Sequence, residues 1–226
     1  MGNNVCLSHL ISQTTPSYGN RDNIIIRSNS SIRHGETANT STWIFSNNHI
    51  GTHIDSPYHF SETGKKTYEI PVDDYIFNRV QLLDIPCSNA KLIGINDLEN
   101  CGSDINKDIE LLFIRTGFEN FRQEDRYWND NPGIAPELAN YFRTNYPRLR
   151  CIGFDFMSIT SWKFRAEGRE SHNEFLCPKD GEAPILAIED MSLKDITNDI
   201  NWVVVAPIFV EDGNGGAVTV FANQKP

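Results

Sequence analysis

The chain has 226 residues, and its 20 Lys+Arg against 30 Asp+Glu give a formal net charge of −10 with a mean hydropathy of −0.42. No stretch approaches the ~18–20 continuous apolar residues of a membrane-spanning helix. The basic residues are not clustered, which argues against nucleic acid or an anionic membrane as partner and leaves small molecules or protein. Five dispersed cysteines, odd in number and without a C-x-x-C pair, fit neither a disulfide framework nor a thiolate zinc site. Together with an N-terminus lacking a charged start and apolar core, they predict a reduced, cytoplasmic protein.

β-rich runs recur along the chain, at Ile24 to Arg27, Trp43 to Ser46, Val80 to Ile85, Leu111 to Arg115, Cys151 to Phe156, Pro184 to Ile188, Trp202 to Pro207 and Ala217 to Ala222. A helix is predicted over Tyr68 to Phe77, and a helical turn near Asp97-Leu98. The best helix spans Ala135 to Tyr146, where Pro136 suits a first helical position and Leu138, Ala139, Phe142 and Tyr146 make one stripe. Gly213-Asn214-Gly215-Gly216 reads as a hairpin turn, and no phosphate loop, dinucleotide fingerprint or G-x-S-x-G elbow is present. No repeat or linker divides the sequence, so residues 1–226 are expected to form one α/β domain with mixed sheets and few helices.

The chemistry is concentrated at Asn48-His49-Ile50-Gly51-Thr52-His53-Ile54-Asp55-Ser56-Pro57-Tyr58-His59-Phe60, which holds three of the six histidines. Written as a strand, His49 to Asp55 puts His49, Gly51, His53 and Asp55 on one face and Ile50, Thr52 and Ile54 on the core face. Gly51 then clears the space between the two imidazoles. Two nitrogens and a carboxylate suit Zn²⁺, Mn²⁺ or Fe²⁺ and leave positions open for water and substrate. Solvated polar residues on an exposed strand are the bland alternative, but four ligand-type side chains on one face would be costly to crowd together without a cation. Pro57 ends the strand and lets His59 bend back over the site. His9 and His34 lie outside the cluster, and Asp155 is either a group orienting a ligand imidazole or a turn residue.

H-x-G-T-H-x-D-x-P-x-H-F resembles the signature of the metal-dependent cyclase-like hydrolases, which include bacterial kynurenine formamidase and isatin hydrolase. Leu7-Ser8-His9 with Pro16, Arg115-Thr116-Gly117, Pro132-Gly133-Ile134, Gly153 to Ser158 and Ala206-Pro207-Ile208 follow in the family's order. The resemblance implies a swivelling β/β/α-type fold and a divalent centre of one or two ions, Zn or Mn. His49, His53 and Asp55 would hold the first ion, with Asp55 able to bridge. By the same resemblance His172, in His172-Asn173-Glu174-Phe175-Leu176, and Glu189 complete a second site. The segment Cys177 to Glu182 between them is longer than in the formamidases.

The expected chemistry is hydrolysis by metal-activated water. His59 is the expected general base to water and then acid to the leaving nitrogen, with metal ligation as its alternative role. The expected substrate is a small aromatic carbonyl compound, first an aryl formamide such as N-formylkynurenine, otherwise an aryl lactam or lactone. A metal-dependent binding protein without turnover is the reading from another class. Trp43, Phe60, Trp128, Trp162 and Phe164 are candidates to line an aryl pocket, substrate choice is expected in Phe118 to Asn131 and Thr160 to Arg169, and a homo-oligomer is expected.

Overall fold

A computed structural model describes residues 2–179 and 181–226, so Asp180, in the segment expected to be longer than in the formamidases, lies outside the described residues. Strands β1 (Asn3–Cys6), β2 (Ile24–Ser30), β3 (Thr40–Phe45), β4 (His53–Asp55), β5 (Ile76–Phe77) and β6 (Val80–Asp84) occupy the first part of the chain. β7 (Leu92–Ile93), β8 (Leu111–Arg115), β9 (Gly133–Ile134), β10 (Cys151–Phe154), β11 (Leu186–Glu189), β12 (Ile200–Pro207) and β13 (Gly215–Gln224) follow. The α-helices among the described residues are α1 (Ile95–Glu99), α2 (Arg126–Asn129), α3 (Glu137–Asn145) and α4 (Arg165–Leu176). The fold is therefore mixed α/β with few helices, as the sequence predicts.

The main sheet runs β5-β12-β13-β4-β11-β10-β8-β6, and β1 pairs with β13. β6, β8, β10 and β11 are parallel, whereas β4 is antiparallel to both β11 and β13. Period-two alternation explains why both faces are packed: Leu112 and Ile114 of β8 join one apolar cluster, Leu111 and Phe113 the other. The first cluster takes Leu138, Ala139 and Phe142 from α3, the stripe expected there.

Two expectations fail. Tyr68 to Phe77 is not a helix but two 3₁₀ turns, Thr67–Glu69 and Val72–Tyr75, followed by β5. Pro71 lacks an N–H and holds Ile70 extended (φ −74°, ψ 129°), which interrupts an α-helix. Nor is His49 to Asp55 one strand: β4 is only its last three residues, and Gly51 takes a left-handed φ of 72°, which breaks the pleat. α4, by contrast, is a helix that apolar periodicity does not announce. Its sequence is polar, and it is seated by Gly168, where a Cβ would lie 2.5 Å from the Thr160 side chain.

Candidate metal centre

The short strand β4 is the frame of the site. Across the β4–β11 ladder His53 stands opposite Glu189, and on its other side Asp55 stands opposite Gly215 of β13. His53 and Asp55, two apart, project to the same side, and Ile54 between them enters the apolar cluster with Leu186 and Ile188. His49 does not arrive by alternation along a strand. It comes from the bend before Gly51 and sets its Nδ1 2.7 Å from Asp55 Oδ1, while its Nε2 lies 3.0 Å from Asn214 Oδ1. The glycine that makes room for this ring is Gly215: a Cβ there would lie 2.7 Å from His49 Cε1 and 2.6 Å from the Ile54 carbonyl. At Gly51 a Cβ would meet only Thr15 at 3.4 Å, so that glycine supplies a backbone conformation and not space.

Two of the imidazoles have their tautomer fixed by carbonyl acceptors. His53 Nδ1 donates to Gly51 O at 2.8 Å, and His172 Nδ1 to Gly168 O at 2.9 Å, with Thr160 Oγ1 at 3.1 Å. Both Nε2 atoms therefore face the carboxylates. His53 Nε2 is 3.3 Å from Glu189 Oε2 and 3.6 Å from Asp55 Oδ1; His172 Nε2 is 3.4 Å from Asp55 Oδ2 and 3.7 Å from Glu189 Oε1. Glu189 is itself anchored, its Oε1 accepting from the Ile159 N–H at 2.7 Å and Ser158 Oγ at 3.2 Å. The 3₁₀ turn Pro57–His59 brings His59 back, stacked on His49 at 4.0 Å between centroids. Phe60 stacks on His172 at 4.6 Å with ring planes 9° apart.

All five side chains expected as ligands, and His59 with them, thus converge. Ligand atoms of His53, Asp55 and Glu189 lie within 4.8 Å of one another, and so do those of His49, Asp55 and His59. Asp55 belongs to both sets. It is 1% exposed, and its Oδ2 makes no hydrogen bond. An unpartnered buried carboxylate oxygen among imidazole nitrogens is what a divalent cation satisfies, so the residues fit a metal.

Without a cation the cluster is held by protons. Burial lowers the imidazolium of His53, but the hydrogen bond and charge of Glu189 outweigh it and raise its pKa to about 9. His172 also rises to about 9, where Asp55 and Glu189 outweigh burial. Burial pushes Glu189 and Asp55 up, yet the histidines win: Glu189 falls to about 2 and Asp55 well below the usual carboxylate range. His59 is lowered to about 4, mainly by burial, and so keeps a lone pair at neutral pH.

The pocket over the cluster has a volume of about 240 Å³, and its wall includes Tyr18, Arg21, Asp22, Met157, Thr160 and Arg165. None of the five aromatic residues expected to line it does so. Trp43 is 67% exposed on the β2–β3 hairpin, Phe60 backs His172, and Trp162 and Trp128 stand behind Tyr18. Thr160 to Arg169 does contribute to the wall, whereas Phe118 to Asn131 sends Arg122 to Asp190 behind the site instead. His34 is exposed, and His9 lies 3.9 Å from Asp190. Asp155 is a turn residue, accepting from Thr116 and Gly117. Sequence reasoning missed Asn214, Tyr18 and Arg21; none of them sits in a metal-ligand spacing, and the Gly-rich turn was legible only as a turn.

The Cyclase family model matches residues 5–161, the stretch that carries His49, His53, Asp55 and His59. The chain belongs to the cyclase family. Within and around that family, kynurenine formamidase of Bacillus cereus is 26% identical over 170 residues, 75% of this chain and 73% of its own length. An uncharacterized Haemophilus influenzae protein is 36% identical over 111 residues, 48% of this chain and 78% of that protein. Among solved structures, isatin hydrolase A from Labrenzia aggregata superposes with a TM-score of 0.77 at 18% identity, covering 99% of this chain and 94% of its own. A predicted metal-dependent hydrolase from Bacillus stearothermophilus gives 0.75 at 21% identity over 100% of both chains. These two likenesses show a shared fold.

Proposed function

We propose that the protein is a metal-dependent hydrolase that cleaves a carbonyl C–N bond, with an aryl formamide of the N-formylkynurenine type as first substrate class. The observation that carries this is Asp55, shared by two ligand sets and left with an unpartnered oxygen. The relationship to kynurenine formamidase over three-quarters of the chain supports the formamide.

His53, Asp55 and Glu189 would hold one ion, with His49 and His172 around the shared Asp55 available to a second and His59 left free as a base. Zn or Mn suits this nitrogen and oxygen set. A divalent cation bound there supplies Lewis acidity and makes water acidic enough to furnish a nucleophile near neutral pH. The chain's own groups do the rest. Ser158 and the Ile159 N–H hold the Glu189 carboxylate in place. Gly51 and Gly168 carbonyls keep His53 and His172 turned toward it. His59, neutral and beside His49, takes the proton of the attacking water at its imidazole and returns it to the departing nitrogen.

Metal analysis combined with formanilide hydrolysis, before and after chelation, tests the assignment. One or two equivalents of metal and chelator-sensitive turnover are expected. A fully metallated protein that opens a cyclic aryl lactam or lactone but leaves every formamide untouched would move the substrate to that class; one inert toward both would overturn the hydrolase.

We propose also that the protein acts in the cytoplasm and as a homo-oligomer. The five unpaired thiols support the first. No helix among the described residues is long and apolar enough to cross a membrane. The exposed apolar side chains Trp43, Ile208 and Val210, which line one groove, support the second, and light scattering reads it directly.

A further inference from the structure

Three guanidinium groups, Arg21, Arg165 and Arg169, line the pocket over the metal cluster. Among the described residues none of them forms an ion pair with a carboxylate, in a chain where acidic residues outnumber basic ones by 30 to 20. Asp22, which follows Arg21 in the chain and shares the wall, is engaged by Ser46 and Asn47 instead. Arg165, Arg169 and His172 follow at helical spacings of four and three along α4, so the face that delivers His172 to the cluster carries both arginines toward the mouth.

Local helix energetics disfavour this arrangement. Arg165 begins the helix, where the macrodipole prefers an anion, and Arg165 with Arg169 is a like-charge pair one turn apart. Trp162 fixes the geometry: its ring lies under Arg165 at 5.0 Å and Arg21 at 5.8 Å, and Gly19 at φ 69° lets the indole close to where a Cβ would lie 2.6 Å from it. Beside this platform Arg165 approaches the buried Tyr18 oxygen, and the hydroxyl proton has no acceptor. Two guanidiniums held against one indole, a third a turn away and an unused hydroxyl donor make a set that pairs with an oxyanion.

We infer that Arg21, Arg165, Arg169 and Tyr18 form an oxyanion subsite at the pocket mouth, and that the substrate carries a carboxylate or phosphate-type group there while its scissile carbonyl sits at the metal cluster. This rests on the hydrolase reading and adds a specificity determinant to it.

The test compares 3-(2-formamidophenyl)propanoate with its phosphonate analogue and its neutral primary amide. In the metallated protein the better anion should exceed the amide in kcat/KM by about 10- to 100-fold, the effect of charge-assisted hydrogen bonds, mostly through KM. The ratio of carboxylate to phosphonate identifies the oxyanion. In the Arg21→Gln/Arg165→Gln variant the anion-to-amide ratio should fall toward one, and Arg165→Lys should restore part of it. Calorimetry on chelated protein with 3-phenylpropanoate and 3-phenylpropanamide gives a readout without turnover, free of direct metal ligation. Anion-selective binding lost in the double variant, with no formamide hydrolysed, would sustain the subsite and fail the formamidase reading. Hydrolysis and binding that both ignore the charge would overturn the subsite and leave that reading intact.

Discussion

Asp55 and Asp155 are both buried aspartates at strand ends of the same sheet, 1% and 0% exposed, and they are satisfied in opposite ways. Asp155 Oδ1 accepts from the Thr116 N–H at 2.8 Å and Thr116 Oγ1 at 2.6 Å, and its Oδ2 from the Gly117 N–H at 2.7 Å. Asp55 has one oxygen hydrogen-bonded to His49, while the other makes no hydrogen bond and has only His172 Nε2 facing it at 3.4 Å. Backbone and hydroxyl donors cannot exchange their proton for a cation, whereas imidazoles can. A buried carboxylate ringed by amides holds a turn; one ringed by imidazoles waits for a metal.

Exchanging the two roles is the hardest test of that contrast. Asp55→Asn should abolish stoichiometric metal binding and turnover while the chelated protein keeps its circular dichroism and folds cooperatively. His59→Ala should keep the His53-Asp55-Glu189 ion but lower kcat by roughly 10²- to 10⁴-fold, the loss expected for a proton-transfer group. A His59→Ala kcat equal to that of the unaltered protein across pH 6–9 would remove His59 from the mechanism. Asp155→Asn should do the reverse of Asp55→Asn, costing roughly 2–4 kcal/mol in denaturant unfolding because an amide nitrogen then faces N–H donors. Its metal content should be unchanged, and metal loss from a folded Asp155→Asn protein would erase the distinction.

The smallest effects are in protons. His53 and His172, raised to about 9, are protonated at pH 7, so metal binding must expel protons. Titrations in buffers of different ionisation enthalpy should find one to two protons released per ion, with affinity rising up to about pH 9; no release would contradict the proton-held cluster. In the chelated protein these two histidines stabilise the fold fully below the ordinary 6.5, and that gain is lost as pH rises through about 9. His59, lowered to about 4, works in the other direction: its contribution is present above 6.5 and lost as pH falls toward 4. Thermal stability of the chelated form should therefore peak near pH 6.5, and metal should flatten the profile on its alkaline side.

The ligand set was legible because ligand chemistry lives in residue type and short spacing: His49, His53, Asp55 and His59 lie within eleven residues. The geometry that joins them was not. The sequence suggested alternation along a strand, but Gly51 turns the chain and Gly215, more than 150 positions away, makes the room. Strands such as Leu111–Arg115 were readable as apolar runs, since both sheet faces are buried. α4 was not, because a polar helix seated on Gly168 and Thr160 owes its stability to contacts rather than to periodicity. His172 was found by likeness alone, and Arg21 and Tyr18 belong to a loop whose function exists only where the chain folds over the pocket.

The position of β4, three residues long between β11 and β13, ties assembly of the site to the last stages of folding. Its partners are separated from it by more than 130 residues, and a slip of one residue in the β4–β11 register would turn His53 and Asp55 away from Glu189. The His53-Asp55-Glu189 set cannot exist as a local peptide nest that captures metal early. Ion uptake during refolding is therefore a clock for closure of the sheet, and a chain stalled before that closure carries the ligands without the affinity.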